Sequence, residues 1–423
     1  MRETFKFSSV LCLLFLTACS SGDEIIAEGN RENIFSYDSC KECYSTSLEN
    51  KDIYLKKIKF ENEKLFNSEF DFKEVSDFDI ENISSRRTGK NFIISPIIKK
   101  DLIYTLDSKF TIKSFSLEED GFVLDKRLLK QSDLMEEEIP VGFTIEDDMA
   151  FIASSNGRVL AVNLKDGSVL WNKILDKKVL KSAPAVSKKY VFVLTSDNVL
   201  HSFRRVGGSE DFKHKGLPVL TSFEKGAKVV VDRNQNIVVP FSNGEIHYLT
   251  SRGRFLFASN VKNYRGVKEA NLLKDIVGEP VVDGDKVVVA GMANSLKVIN
   301  LRNAKVLWEK DLKVVSKPVV AYGYVFVQDE NGNIFAFGED SAKVYWKNKL
   351  PKLEGGAVWF GPVENSGKLL FSSSDGRLLV LDMKSGEELF IKKLYDDGFA
   401  QEVIVSGENI ILTMEDGEIK ILR

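Results

Sequence analysis

The chain has 423 residues, 43% of them hydrophobic, enough to bury at least one large core as several average domains or one large repetitive one. Lysine and arginine number 59 against 62 acidic residues, a formal charge of −3. This balance lacks the basic excess of a nucleic-acid binder or a polybasic membrane-surface protein, and three histidines with four cysteines leave little material for a metal enzyme.

Arg2 and Lys6 precede an apolar run over residues 10–16, which leads into Leu16-Thr17-Ala18-Cys19. A basic start, a short apolar stretch and small residues before a cleavage point predict a secretory signal over residues 1–18. The run is shorter than the ~20 residues that span a bilayer. The tetrad resembles the lipobox of bacterial lipoproteins. That resemblance implies cleavage before Cys19 and acylation of its thiol and freed amine, each buried methylene then contributing about 0.8 kcal/mol to a lipid anchor. Ser20, rather than aspartate, follows the cysteine, which in the best-known sorting rule favours the outer membrane.

Residues 19–50 lack a sustained apolar period and are rich in Glu, Ser and Asn, so they read as a flexible tether. Within it, Cys40-Lys-Glu-Cys43 has no second pair to complete a zinc site and no βαβ context for a redox motif. A local disulfide is the expected state in an oxidising envelope; free thiols and redox chemistry are the other readings.

Residues 51–423 read as one folded domain, and from Leu102 onward they repeat one plan. An apolar strand is followed by a polar turn, a second strand, another turn and a strand ending in an aromatic residue. The clearest copy is Ala150-Phe-Ile-Ala-Ser-Ser-Asn-Gly157, Arg158-Val-Leu-Ala-Val-Asn-Leu164 and Asp166-Gly-Ser-Val-Leu-Trp171. Copies begin near 102, 150, 191, 237, 287, 325, 369 and 410, and Asn156-Gly157, Asn243-Gly244, Asn331-Gly332, Asp375-Gly376 and Asp416-Gly417 supply the positive φ angles of tight hairpins. Prolines 96, 140, 184, 280, 318 and 362 open a further apolar strand, where no interior ladder bond is lost. Four strands at a period of roughly 38–50 residues predict an all-β fold, a β-propeller of eight four-stranded blades; seven is the alternative count. The last copy stops one strand short. Residues 53–70, in which Glu63-Lys-Leu-Phe66 matches Glu387-Glu-Leu-Phe390, are expected to supply that outer strand and close the ring.

The Asp-Gly-x-x-x-Trp ending at Trp171, with relatives at Trp308 and Trp346 and an aromatic counterpart at Phe390, resembles the tryptophan-docking repeat of quinoprotein propellers. Those aromatics are expected to pack one blade against the next. Lipobox, tether and eight units together resemble the BamB family, the propeller lipoproteins of the outer-membrane β-barrel assembly machinery. The resemblance implies a non-catalytic scaffold on the periplasmic face of the outer membrane. It would bind a BamA-like partner as a monomer within a larger complex, with no cofactor and no nucleic acid.

The family's docking segment is matched by Leu272-Leu-Lys-Asp-Ile-Val-Gly-Glu-Pro280, where Asp275 keeps the spacing to the proline and Val277 replaces the second acid. The second family element is reduced to Leu217-Pro-Val-Leu220, without its arginine. Both lie in long insertions, 206–227 and 259–279, and the second also carries Arg265 beside Leu272 and Leu273, residue types common at interface hot spots. His201, His214 and His247 fall in different repeats without ligand or nucleophile spacing, and His247 reads as a strand residue satisfied locally. The acid runs Glu136-Glu-Glu138 and Asp147-Asp148 read as solvated turn charges. Two other classes stay open: a quinone-cofactor (PQQ-type) dehydrogenase, although no Cys-Cys pair exists, and an envelope module binding peptides or glycans.

Overall fold

Burial along each strand follows its distance from the centre of the sheet it belongs to. In Met149–Ser154 and Arg158–Asn163 nearly every residue is buried, on both faces of the sheet, whereas in Val169–Ile174 only Trp171 is. Continuous apolar runs therefore mark strands covered on two sides, and alternation marks a rim strand with one wet face. The computed structural model describes the backbone of residues 74–79, 83–84 and 91–92, together with residues 94–116, 122–176, 178–180, 182–218, 226–260, 276, 278–291, 295–407 and 409–422.

Within these residues eight four-stranded antiparallel sheets follow one another, which settles the count at eight blades. Blade 1 is Ile97–Lys99, Leu102–Leu106, Thr111–Ser116 and Phe122–Arg127; blade 2 is Pro140–Glu146, Met149–Ser154, Arg158–Asn163 and Val169–Ile174. Blade 3 is Ala185–Val186, Tyr190–Leu194, Val199–Arg204 and Glu210–Lys215; blade 4 is Val230–Val231, Ile237–Pro240, Glu245–Leu249 and Phe255–Asn260. Blades 5, 6 and 7 repeat the plan from Val281–Asp283 to Glu388–Lys393. The first strands of most consecutive blades touch one another, so they converge on the axis and the fourth strands form the rim.

One apolar cluster occupies each blade junction. Phe151, Val159 and Trp171 of blade 2 meet Val191, Val193 and Phe203 of blade 3, for example. The eighth cluster joins Ile103 of the first blade to Ile411, Ile419 and Ile421 of the last. Each fully buried Phe or Ile contributes roughly 1.5–3 kcal/mol, so stability is spread around the ring and not held in one core.

The fourth strands share a β-bulge, and the residue just after it occupies the same register in the first seven blades: Leu124, Trp171, Phe212, Phe257, Trp308, Trp346 and Phe390. The three indole N–H groups donate to Arg205, Glu339 and Met383 carbonyls at 2.9, 2.8 and 3.0 Å. Each acceptor immediately follows the third strand of the next blade. Gly208 and Gly386, in the turns just after two of these acceptors, lie flat on Trp171 and Trp346 with φ of 64° and 73°. A Cβ at either would sit 2.6 Å from the indole, so glycine is required twice over.

The closing strand differs from the sequence expectation. Glu74–Asp79 pairs antiparallel with Glu418–Leu422 as the fourth strand of blade 8. Residues 53–70, proposed for this position, lie outside the described residues, and the position itself is filled by 74–79. The bulge register here falls on Ser76, so the last blade carries no aromatic at the position that guided the sequence match.

Candidate interaction face

Antiparallel connectivity puts the turns between first and second strands, and between third and fourth, on one face of the ring. The hairpins that enter third strands, and the blade-to-blade connections, lie on the other. Both long insertions contribute blade-to-blade connections, 216–229 and 261–280, whose described ends leave and rejoin the ring on that second face. Leu217 stands at the start of the first with 61% of its surface exposed. Arg265, Leu272, Leu273 and Asp275 of the second connection, and Leu220 of the first, lie outside the described residues. So do the signal segment and the tether with Cys19, Cys40 and Cys43.

Sequence reasoning did not single out Ile276, next to Asp275. It is 2% exposed and bridges Gly291, as Val314 bridges Asp329 and Phe399 bridges Met414. This pins the end of the second connection to the ring just before blade 5. Lys317, ahead of blade 6, reaches Glu279 at 2.8 Å and ties the same region across the junction.

The acid run 136–138 does not behave as one solvated unit. Glu138 is 5% exposed and takes a two-pronged ion pair from Arg158, Nε to Oε1 at 2.8 Å and Nη2 to Oε2 at 3.0 Å. Burial raises the Glu138 pKa, but Arg158, the Met135 N–H and the Ser154 hydroxyl together outweigh it and hold the carboxyl below its usual range. The partner lies 20 residues downstream, beyond the reach of local pattern. Asp147 and Asp148 are exposed but paired, with Arg205 and Lys165.

His247 is a strand residue with Glu245 beside it, as read, and it gains a second partner from another repeat. His214 on the rim strand of blade 3 and His247 on the third strand of blade 4 meet with Nε2 and Nδ1 at 2.8 Å. Phe241 and Phe255 pack around the two rings. Burial lowers both pKa values, and Glu245, 3.5 Å from His247, only partly offsets this. His201, 3% exposed, is likewise lowered by burial despite Glu210 at 2.8 Å. Among the described residues, no three His, Cys, Asp or Glu side chains are arranged to hold a metal.

A pH dependence follows. The folded pKa of each histidine lies below the ordinary value near 6.5, so as pH falls the unfolded chain takes up protons first. Stability from these groups is complete above about pH 6.5 and declines below it. The slope is up to about 1.4 kcal/mol per pH unit for each histidine, until the folded pKa is passed. Urea melts between pH 7.5 and 5 should show the decline, and His214→Phe should make it shallower. An unchanged slope would show that the pair is not held neutral.

Comparisons with known proteins add the following. The family described as "Outer membrane protein assembly factor BamB" matches residues 118–348 and 331–423. The Escherichia coli K12 protein of that name is 22% identical over 373 residues, covering 84% of this chain and 93% of its own length. The Yersinia pestis protein is 22% identical over 280 residues, covering 66% and 70%. The crystal structure of BamB from Moraxella catarrhalis superposes with a TM-score of 0.70 at 17% identity, covering 84% of this chain and all of that one. A europium-containing methanol dehydrogenase shares the fold at a TM-score of 0.60 and 12% identity, over 81% of this chain and 84% of its own.

Proposed function

This chain belongs to the BamB family of outer membrane protein assembly factors, and from that premise we propose that it is a non-catalytic scaffold of the assembly complex. In this reading Cys19 carries the lipid that holds the ring at the periplasmic face of the outer membrane. The two long connections bind a BamA-like partner, the protein that inserts client barrels. The observation that carries the reading is the family match over 118–423. It is joined by two long connections whose described ends lie on one face, the first opening on an exposed Leu217. A rigid ring loses little order on binding, so exposed apolar side chains held on its loops bind with little entropic cost. The likeness to a methanol dehydrogenase is one of fold and carries no argument for catalysis.

Affinity of the soluble chain for the partner's periplasmic domains tests this. Leu217→Ala, Leu273→Ala and Asp275→Ala are each expected to weaken the complex by about 1–2 kcal/mol, a hot-spot magnitude, with folding almost untouched. Val206→Ala, an exposed residue on the opposite face (84% exposed), should leave affinity unchanged. If only the Val206 substitution weakens binding, the partner docks on the other face.

A further inference from the structure

In five blades the turn entering the third strand uses a glycine at positive φ: Gly157, Gly244, Gly332, Gly376 and Gly417. Blade 3 uses Asn198, at φ 60° and with no exposed surface. Asparagine tolerates this conformation better than most residues with a side chain, so the backbone alone does not decide the choice. The Asn198 main chain repeats what the glycines do. Its carbonyl accepts the Gly216 N–H at 2.8 Å, as Gly157 accepts Leu175 at 2.9 Å and Gly332 accepts Leu350 at 2.8 Å.

The side chain adds what a glycine cannot. Nδ2 donates to the Leu217 carbonyl at 2.8 Å, while Oδ1 accepts the Ser242 N–H of blade 4 at 3.1 Å. A carbonyl on one side and an N–H on the other fix the amide's orientation. Gly216 lies against the Phe241 ring, where a Cβ would come within 2.7 Å, so the segment is backed as well as tethered. The result is an apolar side chain, Leu217, turned outward on a backbone anchored to two blades.

We propose that Asn198 is a positioning residue for partner docking: its buried amide clamps the Leu217 backbone so that the leucine side chain is presented already ordered. The proposal rests on the reading that the 216–229 connection contacts the partner. Its effect is preorganisation, lowering the ordering cost of binding without a contact of its own.

The test is a double-mutant cycle on the soluble mature chain against the periplasmic domains of the BamA-like partner. Hydrogen exchange of the 216–218 segment and thermal melting accompany it. Asn198→Gly keeps the positive φ and the backbone bonds and removes only the amide. The expected result is a melting temperature close to the parent, faster exchange over 216–218 and binding roughly 5–10-fold weaker. In a Leu217→Ala background the same substitution should cost nothing further, because Asn198 acts through Leu217. Parent-like binding by Asn198→Gly, with Leu217→Ala weakened, overturns the proposal and leaves the docking reading standing. Equal weakening in both backgrounds assigns Asn198 a general structural role and also overturns it. Parent-like binding by both single variants removes this connection from the interface, and the proposal falls with it.

Discussion

Arg158→Met will lower the unfolding free energy by about 3–5 kcal/mol, the cost of leaving a buried charge without its partner. The Arg158 and Glu138 side chains are 3% and 0% exposed. Beyond the carboxylate, the guanidinium donates from Nη2 to the Asp133 carbonyl at 2.6 Å and from Nη1 to Asn172 Oδ1 at 3.3 Å. One residue thus ties the 131–139 segment to two strands of blade 2. In its absence Glu138 keeps only the Ser154 hydroxyl at 2.7 Å and the Met135 N–H at 3.0 Å. Arg158→Met with Glu138→Leu should recover much of the loss, because replacing both partners removes the unpaired charge. The pH behaviour gives a second signature. In the parent the lowered Glu138 pKa contributes stability above the ordinary carboxylate range, lost as pH falls through the folded value. In the single variant protonation relieves the stranded carboxylate, so the deficit should shrink as pH falls toward 4. Denaturant melts at pH 7 and pH 4.5 measure both effects, and a deficit under 1 kcal/mol at pH 7 would show that the segment swings out to rehydrate the acid.

The second large effect is expected from the closing strand. A chain beginning at Ile83 lacks Glu74–Asp79, whereas one beginning at Lys73 keeps it. The strand makes five registered residue pairs with Glu418–Leu422. At about 0.5–1.5 kcal/mol for each main-chain hydrogen bond, the ladder is worth a few kcal/mol. The shorter chain also exposes the edge of Glu418–Leu422, an invitation to pair with another copy. It should therefore melt at lower temperature and elute partly as dimer on size exclusion, while the longer chain behaves as the parent. Matching melts and elution for the two would mean that blade 8 is stable with three strands.

The sequence carries this architecture openly because a propeller blade is a local object. Its turns are written as Asn-Gly and Asp-Gly, its middle strands as apolar runs, and its blade contacts as an aromatic in six of the eight repeats. Where a pairing is not local, the pattern is silent. The closing strand joins residues more than 300 positions apart in the chain, and its register position holds Ser76, so a search for an aromatic ending led to Phe66. Glu138 and Arg158 look like turn charges individually; only the fold of the 131–139 segment onto blade 2 turns them inward. His214 and His247 are 33 residues apart. Reading the rim strand of one blade against the third strand of the next would have paired them, as it does the docking aromatics. Asn198 was legible as a departure from the Gly rule, but its two side-chain partners belong to a connection and to another blade.

The pairing of Glu74–Asp79 with Glu418–Leu422 also sets an order of events. Synthesis delivers a chain progressively, and seven blades can form from contiguous stretches as they arrive. The eighth cannot, because one of its strands is delivered early and the other three last. Until the final residues emerge, the early strand has no partner and the growing arc keeps an open end at each side. Long-range pairing of this kind is slow, since loop-closure entropy is spent before the contacts form. An arc lacking residues 418–422 has no strand to offer the segment 74–79. Closure of the ring thus reports one thing, that residues 418–422 have reached the strand at 74–79.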